Sequence, residues 1–110
     1  MTITDRLKSD LVVAMRERDP VRVSTIRSLI AAIDNAGAVP VEWQGYDYDP
    51  KTGLGHDVER RAVTDSEIAR IIALERDDLA AARDQYLRFG ETAHADEFER
   101  RVEIAGSYLT

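Results

Sequence analysis

Thr64-Asp-Ser-Glu67 constrains the chain more than any other short segment, because it starts a helix and the residues after it carry that helix to Gly90. A threonine followed three residues later by glutamate forms a capping box: the hydroxyl takes the Glu67 amide and the carboxylate turns back to the cap. Ile68, Ile71, Ile72, Leu79, Ala82, Tyr86 and Phe89 then recur at spacings that keep them on one face for about six turns. Gly90 provides the stop, since glycine enters the left-handed conformation without steric cost.

The same period appears on both sides of this helix. Thr4 is a candidate cap for a first helix whose face is Ile3, Leu7, Leu11, Ala14 and Met15 and which ends near Arg18. Asp19-Pro20 marks the next start, with aspartate capping and proline occupying a position where no amide is needed. The second helix runs from Pro20 to about Ala36, with Gly37 as its expected left-handed stop. Its apolar stripe is Ile26, Leu29, Ile30 and Ile33; Ser24, Ser28, Ala31 and Asn35 form a row of small residues opposite, suited to close approach of another backbone. A last helix spans roughly Thr92 to Ser107, with Phe98, Val102, Ala105 and Leu109 inward. Its solvated side carries Glu97, Glu99, Arg100, Arg101 and Glu103, with Arg100 and Glu103 in reach of each other.

Between the two helical pairs, residues 38–63 lose periodicity and gather prolines, glycines and aromatics, which reads as one long loop of a kind used in binding or left mobile. A β-hairpin across Val39 to Trp43 and Tyr46 to Tyr48 is the alternative. The expected fold is all-α: a single domain over residues 1–110, a four-helix array of two helical hairpins joined by the long loop.

Composition narrows the chemistry. With 44% hydrophobic and 33% charged residues the chain is suited to a globular helical fold, and the absence of cysteine excludes disulfides, thiolate metal sites and a cysteine nucleophile. No apolar run approaches a membrane span of roughly 20 residues, and the amino terminus lacks the apolar stretch of a secretory signal, so a cytoplasmic protein is expected. The net charge of −6 divides into +2 over residues 1–27 and −8 over residues 28–110. A surface gripping nucleic acid throughout needs a basic excess, so any RNA contact belongs to the first two helices.

Three segments together resemble the GatB/YqeY family. RVSTIRSLIAAIDNA (Arg22 to Ala36) is similar to the helix signature of YqeY-like proteins, and the Ala14-Met15 pair before the Asp19 turn matches the helix preceding it. TDSEIARII with Glu75, then Tyr86, Gly90 and Tyr108-Leu109, resembles the family's next hairpin in order and spacing. Residues 38–63 make a longer loop than usual, Thr110 stands where proline is common, and the family's second helical domain does not follow. That missing domain is the part resembling the tRNA-contacting tail of the GatB subunit of the glutamine-dependent aminoacyl-tRNA amidotransferase. The resemblance implies a helical accessory module contacting tRNA, the amidotransferase or related proteins. It also associates the chain with glutamine-dependent carbon–nitrogen ligation, although no catalytic residue is visible. A protein-binding scaffold or homo-oligomer is the reading from a different class.

The candidate polar cluster is Arg22, Ser24, Thr25, Arg27, Asn35 and Glu75. Arginine forks and hydroxyls near one helix start are suitable donors to a phosphate, or alternatively to Glu75 or the C-terminal helix. Glu75, on the apolar face between Ile72 and Leu79, is expected to pair with Arg22 or Arg27, because an unpaired buried carboxylate is costly. Trp43, Tyr46 and Tyr48 are candidate stacking contacts in the loop, or fold onto the core with Pro40 and Leu54. Asp47, Asp49 and Thr52-Gly53 imitate part of a calcium loop, but Lys51 occupies a ligand-like position and the pattern is ordinary turn chemistry. His56 and His94 lack partners at metal or triad spacing, so no metal and no cofactor is expected.

Overall fold

The computed structural model describes residues 1–38 and 62–110, and the description below concerns those residues. They form four helices: α1 (Ile3–Arg16), α2 (Pro20–Ala36), α3 (Asp65–Arg88) and α4 (Thr92–Gly106). The fold is all-α. α1 packs on α2, α3 packs on α4, and α2 joins the two hairpins by touching both α4 and α3. Residues 39–61, which hold nearly all of the expected loop and the alternative hairpin, lie outside the described residues.

Side-chain caps account for three of the starts. The cap of α1 lies two residues before Thr4, at Thr2, because Thr2 has the better partner. Its Oγ1 accepts the Asp5 amide at 3.1 Å, and an Asp5 carboxylate oxygen accepts the Thr2 amide at 3.4 Å. A cap at Thr4 would have placed Leu7 at the corresponding position, where nothing returns the bond. Asp19 caps α2 by accepting the Arg22 amide at 3.2 Å, and Thr64 caps α3 by accepting the Glu67 amide at 3.2 Å.

The helix stops differ more from expectation. α3 ends as its sequence predicts: Gly90 has φ +72°, with its amide on Leu87 at 3.1 Å and the Glu91 amide on Tyr86 at 2.8 Å. α1 makes the same closure with the wrong residue for it. Arg18 sits at φ +55°, its amide on Met15 at 3.2 Å and the Asp19 amide on Ala14 at 3.1 Å. Gly37, the expected left-handed stop, instead stays right-handed at φ −81° because α2 tightens its last turn, with the Gly37 amide reaching both Ile33 and Asp34 at 3.2 Å.

Leu7, Ala14, Ile26, Leu29, Ile33, Ile68, Ile72, Ala105 and Tyr108 form the buried core, so every helix contributes to one apolar centre. Each fully buried leucine or isoleucine there contributes about 1.5–3 kcal/mol. Two expected stripe members are exposed. Met15 is 49% exposed because Ala14 takes the inward position at the end of α1, and Phe89 is 81% exposed because it lies past the last turn of α3. The small row on α2 is also only partly used. Ser28, Ala31 and Asn35 are exposed, since α3 and α4 pack along the Thr25, Ile26, Leu29 and Ile33 side.

A β-carbon in the left-handed region is strained by about 1–2 kcal/mol. Arg18→Gly should therefore raise the unfolding free energy by about 1 kcal/mol in urea denaturation, against the usual penalty for introducing glycine. A loss of stability would show that the Arg18 side chain supports the turn.

Candidate functional site

Ser24 and Thr25 of α2 meet α4, and the residue that gathers them is Arg101. Its guanidinium donates to Ser24 Oγ at 2.6 Å, to Thr25 Oγ1 at 3.1 Å and to Glu97 Oε1 at 3.3 Å. The two hydroxyls donate in turn to the Val21 carbonyl, at 3.2 Å from Ser24 and 2.7 Å from Thr25. Each hydroxyl thus spends its proton inside α2 and offers lone pairs to α4. Thr25 is buried, Arg101 is 19% exposed, and the Arg101 guanidinium carbon stands 5.5 Å from the Phe98 ring centre. Arg101 Nε is buried without a hydrogen-bond partner.

One residue earlier, Arg100 reaches the α2 cap and forms an ion pair with Asp19, not with Glu103. The hydrogen bond from Arg100 holds the Asp19 carboxyl below its ordinary value of 3.8, against desolvation and with help from the Arg22 amide. The end of α4 is tied to α1 by a third polar contact, from the Tyr108 hydroxyl to the Asp10 carboxylate. Burial first, and then this hydrogen bond to a carboxylate, push the Tyr108 hydroxyl pKa upward, while Arg6 lies 5.1 Å from the ring centre.

The rest of the predicted cluster is dispersed. Arg22 turns back to Glu17 at 3.5 Å, Arg27 is exposed, and Asn35 is exposed near the far end of α2. Glu75 forms no ion pair with Arg22 or Arg27, which corrects the expected lock between α2 and α3. It is only half-buried, so the carboxylate keeps solvent and needs no guanidinium. Trp43, Tyr46, Tyr48, the Asp47–Gly53 turn and His56 lie outside the described residues. His94 is exposed and stacks on Tyr86 with ring centres 5.0 Å apart, beside Glu91 at 3.6 Å.

The contacts of Arg101, Asp10 and Arg100 were missed because these three side chains lie on helix surfaces that look solvated in isolation. A signal for Arg101 was present: it follows Phe98 by three residues and precedes Ala105 by four, which places it at the edge of the α4 apolar stripe.

Two open grooves accompany this network. One, of about 390 Å³, is lined by Met15, Arg18, Asp19, Pro20 and Val23 at the α1–α2 elbow; the other, of about 210 Å³, is lined by Ala36, Glu67, Arg70 and Ile71. Among the described residues no group of three His, Asp or Glu side chains is placed to hold a metal, and no helix is long and apolar enough to cross a membrane. Comparison with protein-family models, with curated protein sequences and with solved structures finds no match to the chain.

Because the folded Asp19 carboxyl titrates below its unfolded value of 3.8, its stabilisation is complete above that value and is lost as pH falls through the folded one. Asp19→Asn keeps a good N-cap and removes the ion pair. The stability gap between wild type and this variant should be constant near neutrality and close as the pH drops below 3.8. Parallel stability–pH curves through the acid range would remove Arg100 as the cause.

Proposed function

We infer that this chain is a non-catalytic helical accessory of the GatB/YqeY kind, which works by contacting tRNA, the aminoacyl-tRNA amidotransferase or proteins related to it. The observation that carries this reading is the use made of the signature hydroxyls. Ser24 and Thr25 donate to the Val21 carbonyl and accept from Arg101, so among the described residues neither is paired with a base that would make it a nucleophile. The resemblance of Arg22 to Ala36 and of Thr64 to Leu109 to that family supplies the class of partner. The +2 balance of residues 1–27 favours α1 and the start of α2 as the side that meets an anionic partner.

Participation in amide transfer fits the same reading, provided that another subunit holds the nucleophile and the ammonia. The tagged chain captured from its native cytoplasm, with and without ribonuclease, should retain tRNA or identified amidotransferase subunits. Recovery of neither contradicts the reading. Glutamine-dependent ammonia release by the purified chain, abolished by a point substitution, contradicts its non-catalytic part.

A further inference from the structure

The outer face of the α1–α2 hairpin carries cations that no described carboxylate neutralises. Lys8, Arg18 and Arg27 are exposed and form no ion pair among the described residues. The carboxylates of the same hairpin are engaged elsewhere. Asp5 accepts the Thr2 amide in its cap, Asp10 accepts the Tyr108 hydroxyl, Glu17 meets Arg22 at 3.5 Å and Asp19 pairs with Arg100. Only the Asp34 carboxylate has no partner among the described residues, and it lies about 10 Å beyond Arg27 along α2.

These three cations frame an apolar floor. Met15 of α1 and Val23 of α2 line the groove of about 390 Å³, and Arg18 and Pro20 line it at the turn. Lys8 precedes Met15 by two turns on the same side of α1, and Arg27 follows Val23 by one turn along α2. Because the helices run antiparallel from the elbow, Lys8 and Arg27 continue the face on which the groove opens, one from each helix.

We propose that this face receives an acidic amphipathic helix of a partner protein, with apolar side chains entering between Met15 and Val23 and carboxylates meeting Lys8, Arg18 and Arg27. Cations alone would attract a phosphate backbone as well, but the hairpin has nothing on which bases stack: residues 1–38 contain no aromatic side chain and no histidine. An apolar floor framed by cations instead fits a helix laid into a groove, anchored at i, i+3, i+4 and i+7. Arg18 has a use here that explains its backbone. Glycine makes the equivalent turn at position 90 without strain, whereas Arg18 holds φ +55° and lines the groove.

The choice of partner rests on the functional reading above and narrows it, from tRNA or protein, to protein at this face. The probe is a synthetic peptide helix with a leucine stripe flanked by glutamates, titrated into the full chain and followed through the Met15 methyl resonance. It should bind at least tenfold more tightly than the same peptide with lysine in place of glutamate. Lys8→Glu and Arg27→Glu should each weaken it about fivefold to tenfold, and Arg18→Gly by a similar factor although that variant is the more stable protein. Arg88→Glu, an exposed charge at the α3–α4 turn, should leave it unchanged. No binding of either peptide, equal affinity for both, or indifference to all three substitutions on the hairpin overturns the proposal. So does tRNA that shifts the Met15 signal at lower concentration than the glutamate peptide, an outcome that leaves the functional reading standing. That reading fails separately, when capture recovers neither tRNA nor amidotransferase subunits.

Discussion

The guanidinium of Arg101 is the contact on which the alignment of the two hairpins depends. α1 and α2 close on each other through a tight turn, and α3 and α4 do the same, but the union of these pairs has no short loop to enforce it. Arg101 crosses that seam with two hydrogen bonds, to two hydroxyls of the first α2 turns, and a third, to Glu97, holds it on its own helix. A charged donor at a mostly desolvated seam makes bonds stronger than neutral ones, and its loss would leave the Thr25 oxygen buried without one of its partners. Arg100–Asp19 and Tyr108–Asp10 flank this contact, so that α4 is tied successively to the elbow, to α2 and to α1.

The apolar core supplies most of the cohesion, and the polar contacts determine the alignment. Leu7, Ile26, Leu29 and Ile72 are the largest fully buried side chains and meet from three helices. Aliphatic contacts alone tolerate sliding of one helix along another, because dispersion and burial are weakly directional. Hydrogen bonds at fixed positions along α4 do not. The same arrangement leaves Val12 and Met15 near the elbow and Leu87 and Phe89 at the α3–α4 turn exposed, since neither place lies along the seam that Arg101 closes.

Helix identities were legible because they rest on local rules. The Thr64 cap, the Asp19-Pro20 start, the extent of α2 and the Gly90 stop all follow from residues within a turn of each other. The first cap was misplaced by two residues because Thr2 and Thr4 compete and only the Asp5 return bond distinguishes them. Arg18 in the left-handed region was illegible, because nothing in its side chain favours that conformation. The pairing within the polar cluster was harder still. Ser24 and Thr25 were visible as polar residues near a helix start, but their partner lies 77 and 76 residues away on another helix. Glu75 was assigned a buried partner from its place in an apolar stripe, and periodicity does not reveal that the neighbouring helices leave that place half open.

A double-mutant cycle between Arg101→Met and Thr25→Val, followed by urea denaturation, tests the central claim most directly, because both replacements keep much of the side-chain volume. A coupling of about 1–2 kcal/mol, with the double variant less damaged than the sum of the singles, is the result predicted for a direct bond across the seam. Additivity within about 0.5 kcal/mol would contradict it and return Ser24 and Thr25 to the residues available for a ligand.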